Sequence, residues 1–459
     1  MTLDRLILTN FKNYTEADIT LCGNVNCFVG NNGAGKTNLL DAVYYLSFCK
    51  SYFNPVDVQN IRMGEDFFAI HGHYGDDVAS CLLRRGKGKE MRWNKKPYKT
   101  LAEHIGKLPL VMVSPADQQI ITGGSDMRRR FIDGILSQTD NKYLLHLLQY
   151  NKALEMRNKL LKQMWDDRLW DESMVAVYDA QLSTHGECLY NARRHFIADF
   201  RPLFDEYYHW IAGDGEQAVI DYSTDTRPLD VQLADARQAD KYAQYTTVGP
   251  HKDDLMLMLD NEMSVKRFGS QGQQKSFALA LKLAQFQYMV NRNGQKPILL
   301  LDDIFDKLDM LRVKQLIALV GSDRFGQVLL TDTQPGRVQA IFDELPSLEH
   351  KLFDVHPGTV THNSPMQPDR PLDYYINRLF SQLDKAEFAT EMEVQRTYRQ
   401  LAGDLIYKLT PTVSFRNGTL RLRFAAAALR HEMMLRRESL RLKLNNELHG
   451  DVVKKIVIV

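Results

Sequence analysis

The sequence predicts an α/β fold, a parallel sheet covered by helices, with a helical lobe inserted into it and a small α+β domain appended. Three observations carry this reading. Apolar strand-like runs alternate with helical ones from Gln273 to Leu330, the pattern of a sheet buried on both faces. A glycine-rich loop, Gly30 to Thr37, lies between an apolar run and a helical one. The stretch from Arg128 to Trp210 keeps helical periodicity with hardly a glycine or proline. A chain of 459 residues has room for about three domains.

Taken in order, Leu3 to Leu8 and Ile19 to Leu21 read as two short strands joined by a turn. Asn26 to Val29 is an apolar strand, and Asn38 to Phe48 a helix with Leu39, Val43 and Leu46 on one face. Strands follow from Phe67 to Met91, broken by Gly72, Gly75 and the basic turn Arg84 to Lys89. Two long helices make the lobe. The first places Leu144, Leu147, Leu148, Leu154 and Leu161 on its core side, the second Val175, Leu182, Leu189, Phe196 and Phe200. Strands return at Ala218 to Tyr222 and Leu255 to Leu259, then a helix from Gln273 to Asn291 and a strand from Ile298 to Leu301. A helix from Met310 to Val320 and a strand from Gln327 to Leu330 complete the body. Prolines at 357, 365, 368 and 371 mark a linker. The expected domains are a body split over 1–124 and 216–358, a lobe at 125–215, a linker at 359–371 and a last domain at 372–459.

Lys+Arg 58 against Asp+Glu 57 gives a charge of +1, which by itself offers no footprint for nucleic acid. No run approaches the roughly 18 apolar residues of a membrane helix, and with Asp4, Arg5 and Lys12 among the first residues no signal peptide is expected there. The expected place is the cytoplasm. Cys22, Cys27, Cys49, Cys81 and Cys188 are odd in number with no C-x-x-C pair, so buried free thiols are expected.

Gly30-Asn31-Asn32-Gly33-Ala34-Gly35-Lys36-Thr37 fits the phosphate-binding pattern G-x-x-x-x-G-K-[ST]. Glycines let successive backbone N–H groups converge on one anion, Lys36 neutralises the β/γ-phosphates, and Thr37 completes a Mg²⁺ shell. The helix that follows adds its positive end. Ile298-Leu299-Leu300-Leu301-Asp302-Asp303 is the expected partner: a buried strand delivers Asp302 to Mg²⁺, and Asp303 faces the attacking water. Gly269-Ser270-Gln271-Gly272-Gln273-Gln274-Lys275 precedes a long helix, and reads either as a plain N-cap or as a second anion site. A second cradle implies head-to-tail dimers, with Ser270 and Gly272 of one subunit closing over the phosphate held by Lys36 of the other.

These three pieces in this order resemble the ABC-type ATPase head of the P-loop NTPases. Asn10-Phe11-Lys12-Asn13-Tyr14, Ser114-Pro115-Ala116-Asp117, Arg128-Arg129-Arg130-Phe131-Ile132-Asp133, Gly249-Pro250-His251-Lys252-Asp253-Asp254-Leu255 and Ser270 to Lys275 narrow it: residues 1 to about 360 resemble the RecF family. The resemblance implies an ATP-dependent DNA-binding ATPase. It would dimerise with ATP, recognise gapped or single-strand/double-strand junction DNA, and work with RecO and RecR. It implies that Gly30 to Asn38 bind ATP, that Thr37 and Asp302 bind Mg²⁺, and that Asp303 is the base. Ser270, Gly272 and Gln273 would act in trans. Ala116 stands where the family more often has an acid, so that loop is assigned no role. Asp303 is one methylene shorter than the glutamate of ABC transporters. Thr331-Asp332-Thr333 occupies the place of their switch histidine. The expected hydrolysis is therefore slow. The lobe is far too short for the coiled-coil arm of a chromosome-organising ATPase.

His251 reads as structural or, less directly, as a nucleotide contact. Arg128, Arg129 and Arg130 read equally as a solvated helix start or as phosphate contacts.

Beyond residue 366 the pattern is helix (Leu372 to Leu383), helix (Glu391 to Lys408), hairpin, helix (Ala425 to Leu448) and strand (Val452 to Val459). Asn417-Gly418 supplies the hairpin turn. Val413, Phe415, Leu420, Leu422 and Phe424 face the core, leaving Arg416, Arg421 and Arg423 outside. Residues 366–459 hold 16 Lys+Arg and 11 Asp+Glu, a net of +5, so the rest is net −4. The arginine face and the helix cations Arg430, Arg436, Arg437, Arg441 and Lys443 suit either nucleic acid or a guarded sheet edge. Tyr398-Arg399-Gln400-Leu401-Ala402-Gly403, Leu409-Thr410-Pro411, Asn417 to Leu420 and Leu444 to Leu448 resemble the DciA-like family, with Tyr398 where that family usually has tryptophan. That resemblance implies a small KH-like α+β domain associated with the replicative helicase. The chain then reads as an ATP-gated DNA clamp or, alternatively, as a nucleotide-switched scaffold linking that helicase to repair proteins.

Overall fold

The computed structural model describes residues 1–213, 216–259, 263–303, 317, 319, 324–345, 348–362, 387–410, 412–416, 418–424, 427–448, 450 and 452–458. The chain forms two units, Met1–Asn363 and Ser364–Val459.

The first unit opens with β1 (Arg5–Phe11), β2 (Tyr14–Thr20), β3 (Val25–Val29) and α1 (Lys36–Phe48). Next come β4 (Phe67–Tyr74), β5 (Asp77–Arg84), β6 (Gly88–Trp93), β7 (Lys96–Pro97) and β8 (Leu110–Val113). An antiparallel sheet of order β2-β1-β4-β5-β6-β7 covers one side of α1, whose Leu39, Leu40, Val43 and Leu46 pack with Leu6, Leu8, Phe68 and Ile70. Gly72 does not break β4. A Cβ there would lie 2.6 Å from Leu46 Cδ1 and 2.9 Å from Tyr74, so the glycine is needed for sheet and helix to meet.

The helices of the lobe are α2 (Gln118–Thr122), α3 (Ser125–Thr139), α4 (Asn141–Asp166) and α5 (Glu172–Ala212). The expected first long helix is thus two, divided at Asp140, whose carboxylate caps α4 by accepting from the N–H groups of Lys142 and Tyr143. β9 (Ala218–Ser223), α6 (Leu229–Ala243), β10 (Asp254–Leu259), β11 (Met263–Ser264), α7 (Val265–Phe268) and α8 (Gln271–Asn293) follow. β9 and β10 do not join the parallel sheet. They form an antiparallel sheet of order β11-β10-β9 that buries Ile220, Leu255, Leu257 and Leu259 on one face. Val219 and Met256 lie exposed on the other, the one-sided burial of an antiparallel sheet.

A buried charge ties α4, α5 and α6 together. Arg157 is 0% exposed; it donates to Asp179 at 2.7 Å, Asp240 at 2.6 Å and Thr246 at 2.9 Å. His251 is also built into the lobe: Nδ1 accepts from the Tyr150 hydroxyl at 2.8 Å, and Nε2 donates to the Thr246 carbonyl at 3.0 Å. Both ring nitrogens are engaged, which makes the residue structural. Burial, chiefly, holds His251 and His71 down to about 4 from an ordinary 6.5. The unfolded chain therefore binds protons that the folded one refuses, so stability is full above about pH 6.5 and is lost as pH falls toward 4. Denaturant midpoints measured across this window should decline, and His251→Gln should flatten the decline. An unchanged midpoint would refute the burial argument.

β12 (Ile298–Leu301), β13 (Val328–Asp332), the helix Pro335–Asp343, β14 (His350–His356) and β15 (Thr359–His362) complete the unit. The central sheet has order β15-β14-β3-β13-β12-β8, parallel except for β15. Leu299 and Leu301 face the core toward α8 while Ile298 and Leu300 face the core beneath α1, and all four are buried. Residues 359–362, expected in a linker, are instead a paired strand: β15 returns on β14 through a turn at Gly358, φ 79°. The remaining linker positions and the expected helix Met310 to Val320 lie mostly outside the described residues.

The second unit has a helix Glu387–Lys408 interrupted at Gly403 (φ 75°, ψ 157°), a hairpin β16 (Thr412–Arg416) and β17 (Thr419–Arg423), helices Ala427–Leu435 and Arg437–Glu447, and β18 (Lys455–Ile458). β17 pairs antiparallel with β16 and parallel with β18. Phe415, Leu420, Leu422 and Phe424 are buried and Arg421 and Arg423 exposed, as the alternation predicts. Tyr398 is wholly buried and its hydroxyl lies 3.2 Å from that of Thr410, which gives the phenol a partner in the core. The expected helix Ala425 to Leu448 breaks at Arg436. The expected helix Leu372 to Leu383 and Asn417 lie outside the described residues. Among the described residues, no helix is long and apolar enough to cross a membrane.

Candidate nucleotide site

β3 runs into the loop Gly30 to Gly35, and α1 starts at Lys36. Two glycines are required by close approach. A Cβ on Gly30 would lie 2.3 Å from the Val355 carbonyl oxygen, and one on Gly35 (φ 114°) 2.3 Å from Asn13 Nδ2. Asn31, Asn32 and Gly33 are exposed, whereas Ala34 and Lys36 are buried. Lys36 Nζ donates to the carbonyls of Gly30 at 2.7 Å and Asn31 at 3.0 Å, so the cation sits within the curl of the loop. The turn between β1 and β2 clasps the loop from outside. Asn13 Nδ2 donates to the Ala34 carbonyl at 3.0 Å, the Tyr14 hydroxyl to the Gly35 carbonyl at 3.1 Å, and Asn38 Nδ2 to Asn13 Oδ1 at 2.7 Å. Lys12 pairs with Asp41 on α1 at 2.5 Å. Sequence reasoning gave the Asn10 to Tyr14 segment no role in the site; its signal was a turn carrying Asn13 and Tyr14 just ahead of the loop strand.

The acid pair meets the loop across 265 residues. The Thr37 hydroxyl donates to Asp302 Oδ1 at 2.9 Å. Thr331, 1% exposed, donates its hydroxyl proton to the same oxygen at 2.9 Å and accepts from the Asp303 N–H at 2.9 Å. Burial raises the Asp302 carboxyl above the usual carboxylate range, against the pull of the two hydroxyls and Lys36 and with a push from Asp303. Asp303 adopts φ 47°, a left-handed conformation uncommon for aspartate, which the Thr331 hydroxyl holds. At the same strand end, the Asp332 carbonyl accepts from the Gly30 N–H at 3.2 Å, and Arg337 pairs with the Asp332 carboxylate at 2.6 Å. Thr331 and Asp332 thus join the loop to the acids. Neither was singled out from sequence for this.

Ser270 caps α8: its Oγ accepts from the Gln273 N–H at 3.2 Å, and Gln273 Oε1 accepts from the Ser270 N–H at 2.8 Å. Gln273 Nε2 also donates to Glu216 at 3.0 Å. Ser270 and Gly272 are exposed at this helix start. Asp117 closes a capping box with Ser114 and pairs with Lys282 of α8 at 2.9 Å. Arg128 is spent on Asp254, at 2.6 and 2.9 Å, and Arg129 on the Asp253 carbonyl at 2.7 Å, so both are structural. Cys188 is exposed where a buried thiol was expected; the other four cysteines are buried and all five are free. Among the described residues no cluster of three or more His, Cys, Asp or Glu suits a metal.

A parallel sheet carrying a phosphate-loop pattern beside an acid-ended strand, with a serine-capped helix leading back to it, defines an ABC-type ATPase head. The family profile described as an AAA domain matches residues 5–183, and that described as Dna[CI] antecedent, DciA matches residues 371–458. The DNA replication and repair protein RecF of Phocaeicola vulgatus is 45% identical over 375 residues, 80% of this chain and 100% of that one. RecF of Flavobacterium johnsoniae is 43% identical over 361 residues, 77% of this chain and 100% of its own. The solved structure of the recombination mediator protein RecF-ATP in the RecFOR pathway is similar at TM-score 0.72 and 26% identity, covering 79% of this chain and 98% of that one. The chain belongs to the RecF family of DNA replication and repair proteins. Those relatives are covered in full by 80% and 77% of this chain.

Proposed function

We propose that this chain is an ATP-gated DNA clamp of recombinational gap repair. The observation that carries the proposal is the convergence of Lys36, Thr37, Asp302, Asp303 and Thr331 at the ends of three adjacent parallel strands, the place where such sheets bind ligands. Gly30 to Asn38 hold the ATP phosphates. Thr37 and Asp302 offer hydroxyl and carboxylate oxygens 2.9 Å apart, a hard donor set that suits Mg²⁺, which would balance a carboxylate that burial disfavours. The bound ion supplies charge neutralisation at the β/γ-phosphates. Asp303 takes the proton of the attacking water. Its side chain is about 1.5 Å shorter in reach than a glutamate, where proton transfer needs roughly 3 Å contacts, so hydrolysis is slow, below about 10 s⁻¹. ATP then works as a closing ligand, with Ser270, Gly272 and Gln273 of a second copy completing each site. The DNA is gapped or carries a single-strand/double-strand junction, and RecO and RecR are the expected partners.

Thr331→Val should slow hydrolysis about 5- to 30-fold while ATP affinity changes less than about threefold, and Thr331→Ser should restore the rate, since the two lost hydrogen bonds are worth roughly 1 kcal/mol each. Equal losses in affinity and rate would contradict this division of roles.

The DciA match favours a second reading, in which the C-terminal unit ties a replicative helicase to a nucleotide-switched scaffold. Gel-shift of gapped duplex with and without ATP separates the two. The clamp requires tighter binding with ATP; equal binding in both, unaltered by Lys36→Ala, would favour the scaffold.

A further inference from the structure

The antiparallel sheet ends in a basic rim. Residues 84–99 hold eight Lys and Arg against one acid, Glu90, although residues 1–365 as a whole are net −4. Positive charge in this unit is therefore concentrated, in a body that is otherwise strongly acidic. Lys89 turns inward to Asp57 at 2.7 Å, and Arg92 pairs with Glu90 at 2.9 Å. Arg85 and Lys87 on the turn between β5 and β6 are exposed, as are Lys95, Lys96 and Lys99 along the outer hairpin. Asn94 and Lys95 have φ 49° and 70°, which makes a tight two-residue turn with Lys95 at its tip. Lys107, also exposed, adds a further cation 4.8 Å from the Trp93 ring and 5.2 Å from the Tyr98 ring.

The spacing suits a polyanion. From Gly88 to Trp93, β6 spans about 17 Å. A duplex carries one charge per roughly 1.7 Å of axis, so about ten phosphates lie opposite that length. Lysines also guard free sheet edges against pairing. Here the edge strand β7 has only two residues, Lys96–Pro97, and Arg85, Lys87, Lys99 and Lys107 lie off it. Edge protection leaves those four unexplained.

We infer that this rim contacts the phosphate backbone of duplex DNA, without reading its sequence. The inference rests on the DNA-clamp reading and adds to it a place: the rim at the outer hairpin is where the duplex flanking a gap is held. Lys95→Ala/Lys96→Ala/Lys99→Ala in the full chain tests it by fluorescence anisotropy with blunt duplex and with an oligonucleotide single strand, each over a range of salt. The log–log salt slope for duplex should fall by about two to three, and affinity near 0.1 M salt should drop about 10- to 100-fold. ATP affinity and thermal midpoint should stay unchanged, and single-strand affinity should change far less. A control, Lys142→Ala/Lys152→Ala/Lys162→Ala on α4, should leave the duplex slope as it was. A rim variant with unaltered duplex slope and affinity overturns the inference, as does an equal loss for single strand. If the unaltered chain binds no DNA at all, it is the clamp reading that fails.

Discussion

Lys36→Ala is expected to weaken ATP binding by about a hundredfold or more and to abolish any effect of ATP on DNA affinity. Lys36 is 7% exposed, and its ammonium lies 2.7 and 3.0 Å from the loop carbonyls of Gly30 and Asn31. Removing one partner of a buried charge-assisted contact costs about 2–5 kcal/mol, which is roughly 30- to 4,000-fold in affinity. The fold should survive. The loop keeps its hydrogen bonds from Asn13 and Tyr14 without Lys36, and alanine is a good helix former at the first position of α1. Calorimetric titration with ATP, paired with a thermal melt, reads both quantities. Retained affinity in a folded variant would remove the phosphate role of Lys36.

Ser270→Arg is expected to leave ATP binding by the single chain almost intact while eliminating ATP-dependent assembly and hydrolysis. Ser270 is exposed at the start of α8, and its loss as an N-cap costs about 1 kcal/mol, too little to unfold the unit. In the proposed dimer the same hydroxyl approaches the partner's γ-phosphate, where an arginine side chain has no room. Mixing gives a sharper outcome. A pair of one Lys36→Ala and one Ser270→Arg chain contains one site with both residues intact, so hydrolysis absent from each variant alone should return, to at most about half. If Ser270→Arg hydrolyses ATP normally by itself, the site is complete within one chain.

Much of the site was legible because its chemistry restricts residue types over short spans. The phosphate loop and the run Ile298 to Asp303 each announce themselves within eight residues. The parts that escaped depend on contacts between distant segments. Asn13 and Tyr14 reach Ala34 and Gly35 across 21 residues, and Thr331 reaches Asp302 across 29; a threonine at a strand end carries no local mark of that duty. Arg128, open from sequence to a DNA role, meets Asp254 across 126 residues. The fold shows the same division. β3, β12 and β13 were found as apolar runs, but which strands share a sheet is not written in any one of them. β9 and β10 read only as strands with no sheet attached, because Met256 and Met258, on the outer face of β10, hide its alternation behind apolar side chains. Gly72 looked like a break since nothing nearby tells that Leu46 packs against it.

The central claim is that ATP closes two copies of this chain on each other. Light scattering of the full chain with and without ATP and Mg²⁺ tests it most directly. Without nucleotide the expected mass is that of one 52.9 kDa chain, and with ATP it should double, with Ser270→Arg remaining single. A mass that does not change with nucleotide, at concentrations where ATP is bound, would contradict the clamp.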